Sequence, residues 1–326
     1  MNSRERFRTT MQHGEPDRVP YFEEGIREEV LRAWTKQGLS SESEFIRMFP
    51  CDKREEIQLE LDPMPQPKKW PTSNSELGVF RNSLDPKEPS RWPSDWSERI
   101  QSWRKRDSVL MLRVHRGFFL SMGVYNWDRF AEVAKLTVKN PEFVCESMKI
   151  QGEFAVQMAE RVLNEVEIDA AVFTEPIGGN DRPLISPRMY EDFVLSNYES
   201  LLTLLKRHRV ETIIFRTFAN SRLLIPSILK WGFNCLWACE VNTDAMDYRD
   251  LRREYGRDLG LIGGIDLDVV HRDKDSIRRE IEEKVPHLLA EGGYIPLADG
   301  RVREDVPFEN YVYYRRLLEQ VTTTKP

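Results

Sequence analysis

The chain has 326 residues, 40% hydrophobic and 31% charged, and a net charge of −6 from 48 basic and 54 acidic side chains. Those totals describe a globular chain with a substantial core, with no basic block for nucleic acid and no apolar run near the roughly 20 residues of a membrane span. The charged opening MNSRERFRTTMQHGEPDR lacks a signal-peptide core, so a cytoplasmic protein is expected. The four cysteines form no CxxC and suit buried apolar positions in a reducing compartment.

In chain order, residues 3–13 are predicted as a short helix ended by Gly14. A turn at Pro16–Asp17 leads to a strand near residues 19–22 that delivers Glu23 and Glu24 to its end. Helices follow over residues 27–37 and 42–48. Residues 50–93, rich in proline and tryptophan, read as an excursion of short antiparallel strands and loops, with residues 77–83 as one strand. Residues 95–106 return to helix. SVLMLRVH is then a strand, with helices to follow over 128–138 and 141–164. Residues 170–174 form a strand that ends on Glu175 and opens a glycine-rich loop able to move. Ser186 and Pro187 start a helix that runs to about His208.

The stretch TIIFRTFAN (212–220) is a buried strand ending on Arg216. After it come a helix over 222–230, the strand CLWACEV and a helix over 246–255. The strand LGLIGGID exits on Asp266. A helix over 276–290 is kinked by Pro286, the strand YIPLAD ends on Asp299, and a closing helix covers 308–320. Such alternation means parallel strands with helical crossovers, and seven or eight units without a dinucleotide fingerprint predict one (β/α)8 TIM barrel spanning residues 1–326.

In a barrel, chemistry gathers beyond the carboxyl ends of the strands. The candidates there are Glu23, Glu24, His115, Arg116, Glu175, Arg216, Asn220, Glu240, Asn242, Asp266 and Asp299. Six carboxylates against two arginines and one histidine leave an excess of negative charge. That excess suits a cationic or neutral substrate, a metal, or carboxyls of raised pKa acting as acids. Each residue has a plainer reading as a cap or an ion-pair partner, and Arg216 and Glu240, from adjacent strands, could simply pair. With one histidine at a strand end, a site built on two or more histidines is not expected.

The segments RERFRTTMQHGEPDRVP, PLISPRMYEDFV, LLIPSILKWGFN, MDYRDLRREYG, LGLIGGID and GGYIPLADGRVREDVPFENYVYY resemble, in that order, the uroporphyrinogen decarboxylase superfamily. Its members include corrinoid-dependent methyltransferases. The resemblance implies a single barrel with the active site in its mouth. It breaks at the functional positions. In the zinc methyltransferases of the superfamily, the strand at 212–220 carries a His-x-Cys-Gly pattern that supplies two metal ligands. Here Arg216, Thr217, Phe218 and Ala219 stand there, so no bound zinc is expected, and Arg216 with Phe218 would make an anion-holding or shape-selecting wall. Haem-pathway decarboxylases grip a polyanion with an arginine-rich loop after the first strand. Here Phe22, Glu23, Glu24 and Gly25 would repel it.

The remaining likeness is to the demethylase-like branch, which passes methyl groups from ethers or amines to a separate corrinoid protein. This chain has no Asp-x-His-x-x-Gly cobalamin motif, so a corrinoid would arrive on that partner. The resemblance thus implies methyl transfer from a small methylated molecule. Arg216 and Glu240 would orient or protonate, Glu175 or His115 would act as acid or base, and Asp299 would lie at the same catalytic mouth. Glu23, Glu24, Arg116, Phe218, Asn220, Asn242 and Asp266 would contact substrate. Two alternatives stay open: a cofactor-independent decarboxylase or lyase with Arg116 and Arg216 on the carboxylate, and a binding relative without chemistry. Related barrels form homodimers.

Overall fold

The structure, a computed structural model, describes residues 1–240 and 245–323. It is an α/β fold. The strands among the described residues are β1 (Arg54–Gln58), β2 (Val109–His115), β3 (Ala170–Glu175), β4 (Thr212–Phe218), β5 (Cys235–Cys239), β6 (Gly260–Ile265) and β7 (Tyr294–Ala298). The chain divides into two compact units. One comprises Met1–Arg54, Asp107–Val109 and Cys235–Pro326, the other Glu55–Arg106 and Leu110–Asn234.

In the second of these units, β2, β3 and β4 lie side by side and parallel. Their sequences are apolar at most positions on both faces, as parallel strands joined by helical crossovers and buried on both faces require. Arg113, Thr174, Arg216 and Phe218 are the half-exposed exceptions. The register of β2 against β3 shifts between Arg113 and His115, and an irregularity of that kind re-aims the side chain that follows it. The crossovers are the long helix Pro141–Glu165 and a helix that begins at Pro187–Tyr190. Ser186 caps that second start by accepting from the Met189 N–H at 3.2 Å. The helix passes through one π-helical segment, Glu191–Leu195, and continues as Ser196–Arg207.

In the other unit, β5, β6 and β7 are again parallel and in sequence order. Helices Tyr248–Tyr255, Lys274–Ala290 and Phe308–Thr323 belong to it, as do the N-terminal helices Ser3–Met11, Glu28–Thr35 and Glu42–Met48. The helix Lys274–Ala290 carries Pro286 within it as one continuous element.

Three expectations need correction. Residues 19–22 form no strand. Pro20 has no N–H to give a ladder, and the backbone beside it is satisfied by Asp52 instead. Its carboxylate accepts from Tyr21 N–H at 2.8 Å, and its own N–H donates to the Tyr21 carbonyl at 2.8 Å. A strand lies later, at β1, inside the segment expected to be an excursion. Residues Leu77–Asn82 are helix rather than strand. A capping box at Ser73, closed by Glu76, starts a 3₁₀ turn that runs into that helix.

Candidate active site

At the exit of β3, Glu175 is fully buried. One oxygen, Oε1, accepts the Phe118 N–H at 2.7 Å, and Oε2 stands 3.2 Å from each of the Tyr190 and Tyr198 hydroxyls. The Tyr198 hydroxyl also lies 2.8 Å from His115 Nδ1, which accepts the Gly117 N–H at 3.0 Å. Glu175, His115, Tyr190 and Tyr198 are each 1% exposed or less, so these bonds form without competition from water. Burial pushes the Glu175 carboxyl up to about 7, against the pull of its contacts with Phe118, Tyr190 and Tyr198. Burial, helped by Arg116, pulls His115 down to about 3. Glu175 can therefore hold a proton near neutrality, and His115 is a neutral imidazole.

Local sequence makes this arrangement. Gly117 has φ +90°, and a Cβ there would lie 2.5 Å from the Thr174 carbonyl oxygen and 2.7 Å from Glu175 Oε1. Only glycine lets the chain after β2 fold down over Glu175. The two tyrosines are eight residues apart, which in an unbroken α-helix turns them about 80° from each other. The π-helical segment between them takes up one extra residue and returns both to one face.

Arg216 lies within β4 rather than at its end and meets the Glu56 carboxylate of β1. Arg113 of β2 meets the same carboxylate through Nε at 2.8 Å. Burial works against the charge on Glu56, but the two guanidiniums outweigh it and hold this carboxyl below its usual range. Thr174 is the register partner of Arg216 on β3, and its Oγ1 is buried without a hydrogen-bond partner among the described residues. Arg116 bonds to Asp62, to the Leu120 carbonyl and to the Tyr125 hydroxyl, which itself donates to Asp62 at 2.8 Å. The glycine-rich loop after Glu175 is held. Gly178 approaches the Phe218 carbonyl so closely that a Cβ would stand 2.0 Å from it. Asn220 donates its backbone N–H to Gly179 O at 2.9 Å and its amide to Asp181 O at 3.0 Å.

In the other unit, Glu23 meets Arg315, and burial pushes its carboxyl up against that pull. Glu24 meets Arg54 at 3.3 Å. Asp266 caps the helix Leu267–Arg272 by accepting the Asp268 N–H at 2.8 Å. Asp299 accepts the Leu267 N–H at 3.1 Å through Oδ1, and its carbonyl accepts the Glu240 N–H at 2.6 Å. Glu240 itself is exposed, in a left-handed conformation at φ +50°. Asn242 lies outside the described residues. Of the six expected carboxylates, Glu23 and Glu24 are met by arginines from elsewhere in sequence. Asp266 and Asp299 are met by backbone N–H groups, and Glu175 by a backbone N–H and two tyrosines.

Of the candidates, the structure brings Glu175 and His115 together. It joins Arg216 to Glu56, a residue the sequence did not single out. Tyr190, Tyr198, Arg113, Asp62 and Thr174 were equally hidden. Glu56 sits in an REEIQ run whose charges mask the strand, and both tyrosines look like ordinary core residues of an amphipathic helix. Among the described residues, no three His, Cys, Asp or Glu side chains gather closely enough to hold a metal ion.

A family model described as uroporphyrinogen decarboxylase (URO-D) matches residues 124–311, more than half of the chain. Among solved structures, the chain is similar to a methyltransferase from Methanosarcina mazei, with a TM-score of 0.63 at 14% identity over 98% of this chain and 99% of that one. At that identity the likeness is one of fold. No curated protein matches.

Proposed function

From the premise that this chain belongs to the uroporphyrinogen decarboxylase (URO-D) family, we propose that it is a methyltransferase built on a (β/α)8 barrel. It takes a methyl group from a small methylated ether or amine and passes it to a corrinoid carried by a separate protein. The observation that carries this reading is Glu175, a buried carboxyl raised to about 7 at the exit of β3. Cleaving a methyl–heteroatom bond needs a proton on the leaving atom, and a carboxylic acid kept neutral in a dry site supplies one near pH 7. Glu175 is covered by the Gly117 turn, which keeps water from the acid. Arg216, fixed by Glu56, and Thr174 Oγ1 lie on the other face of the strands from Glu175, where they would hold a polar part of the substrate rather than the leaving atom.

The corrinoid supplies the methyl acceptor. Exposed Tyr125, Leu184 and Leu223 stand on the segments that follow β2, β3 and β4. An apolar fringe of that kind suits a protein partner. Arg216 and Phe218 stand where zinc-binding members of the superfamily hold ligands, so zinc forms no part of the proposed site. The methyltransferase of similar fold adds support at the level of architecture.

The test is a spectroscopic one. The purified chain is mixed with cob(I)alamin and a panel of methyl ethers and methylamines. Conversion of the cob(I)alamin spectrum to that of methylcobalamin with at least one donor is expected. An unchanged spectrum across the panel, or carbon dioxide release from a carboxylic acid without corrinoid, would replace this reading with the lyase one.

A further inference from the structure

The hydrogen bonds around Glu175 determine where its proton sits. Two backbone donors set the frame. Gly117 N–H donates to His115 Nδ1 at 3.0 Å, so Nδ1 is an acceptor and the ring proton is on Nε2. Phe118 N–H donates to Glu175 Oε1 at 2.7 Å, which leaves Oε2 as the oxygen able to carry a proton. Tyr190 donates to Oε2 at 3.2 Å. The Tyr198 hydroxyl, with a single proton, then stands 2.8 Å from His115 Nδ1 and 3.2 Å from Glu175 Oε2.

If Tyr198 donates to Oε2, its lone pairs face the unprotonated Nδ1 at 2.8 Å, an unfavourable buried contact between two acceptors. If it donates to Nδ1, the shorter contact, its oxygen becomes an acceptor facing Oε2. That contact closes when Oε2 carries a proton. The second arrangement leaves no two acceptors in contact, with the Gly117 N–H and the Tyr198 O–H sharing the Nδ1 lone pair.

We propose that His115 and Tyr198 are positioning residues that keep the proton on Glu175: Nδ1 draws the Tyr198 proton towards itself, and the Tyr198 oxygen then holds the proton of Oε2. The inference rests on Glu175 being the acid of the site, but it concerns the resting state and not turnover. The groups that face the network are His115 and the adjacent Arg116 after β2, and Tyr190 and Tyr198 from the helix beyond β3. When Glu175 acts, the O–H bond at Oε2 breaks and one forms on the leaving atom. Tyr198 then turns its proton from Nδ1 to the new carboxylate. The methyl–heteroatom bond breaks in the same step, with the reduced corrinoid supplying the electron pair for the new methyl bond. Within the His115–Tyr198–Glu175 group only the proton moves, and nothing in that group is oxidised or reduced.

The test reads proton positions in the full chain. Nitrogen NMR identifies which ring nitrogen of His115 is protonated. Infrared spectra, with Glu175→Gln as the subtraction reference, follow the carbonyl stretch of the protonated carboxyl against pH. The wild type is expected to show the Nε2–H tautomer and a protonated carboxyl below neutrality. Tyr198→Phe removes the acceptor of that proton and should lower the Glu175 midpoint by about one pH unit. His115→Phe frees Tyr198 to donate to the carboxylate and should lower it likewise. His115→Asn, which keeps an acceptor near the place of Nδ1, should restore it.

An Nδ1–H tautomer or an imidazolium in the wild type overturns the proposal. So does a midpoint that rises in Tyr198→Phe, the result expected if Tyr198 donates to an ionised Glu175. Should the variants fail to fold, the wild-type tautomer and carboxyl signals decide on their own. These spectra need no substrate, so a failed methyl-transfer assay leaves them standing.

Discussion

Glu175 and His115 lie in one hydrogen-bonded group, yet they push pH-dependent stability in opposite directions. The folded midpoint of Glu175, about 7, is above the ordinary 4.5. Its contribution is fully present below about pH 4.5 and is lost as pH rises through about 7. The folded midpoint of His115, about 3, is below the ordinary 6.5. Its contribution is present above about pH 6.5 and is lost as pH falls through about 3. Between those ordinary values the two slopes cancel, and the pair yields a plateau. Glu175→Gln mimics the protonated acid and removes one slope. The stability of that variant should rise by about 1.4 kcal/mol per pH unit, relative to wild type, from pH 4.5 to 6.5. Urea unfolding across that range checks it, and parallel profiles would mean that Glu175 does not titrate there. Glu56 works differently, because two arginines depend on it. Glu56→Ala leaves Arg113 and Arg216 facing each other with side chains 29% and 11% exposed. A loss on the order of 2–3 kcal/mol in urea unfolding is expected. A change within 0.5 kcal/mol would show that the carboxylate is not what holds them.

Among the elements, strands were legible where their composition is apolar and helices where caps and periodicity agree. The helix Glu42–Met48 matches its prediction residue for residue, and β3 and β7 fall within a residue of theirs. What escaped is local and physical. Pro20 removes a ladder donor, so an extended segment ties to Asp52 rather than to a strand. In β1, three consecutive charged residues precede Ile57, and Glu56 makes sense only once Arg113 and Arg216 arrive from β2 and β4. The π-helical segment Glu191–Leu195 leaves no mark in the sequence, yet it aligns the two tyrosines on Glu175. Deleting one residue within that segment should restore plain helix with the two tyrosines seven residues apart, about 20° from each other, and so keep both on Glu175. The expected outcome is a raised Glu175 midpoint retained in a chain that still folds, read by infrared titration. Loss of that midpoint would contradict this role of the segment. The loop after β3 was expected to move, but its glycine serves close approach. Gly178→Ala sets a Cβ against the Phe218 carbonyl and should destabilise by about 2 kcal/mol or more, measured by thermal unfolding.

At the scale of the molecule, alternating strands and helices and the superfamily's segments were enough to reach the α/β class and the family, with seven strands among the described residues where eight units of a barrel were the fuller expectation. The family model and the methyltransferase of similar fold agree with that. The site was less legible because its members meet only in space. Glu56, His115, Glu175, Tyr198 and Arg216 come from separate elements, and no short motif contains two of them. The central claim is that Glu175 donates the proton for methyl transfer to a corrinoid. The most direct measurement follows isotopically labelled methyl groups from an active donor onto the corrinoid, comparing wild type with Glu175→Gln. The account predicts labelled methylcobalamin with the wild type and a rate lower by about 10²–10⁴ in the variant. Equal rates in the two, or no label transferred from any ether or amine, would contradict it.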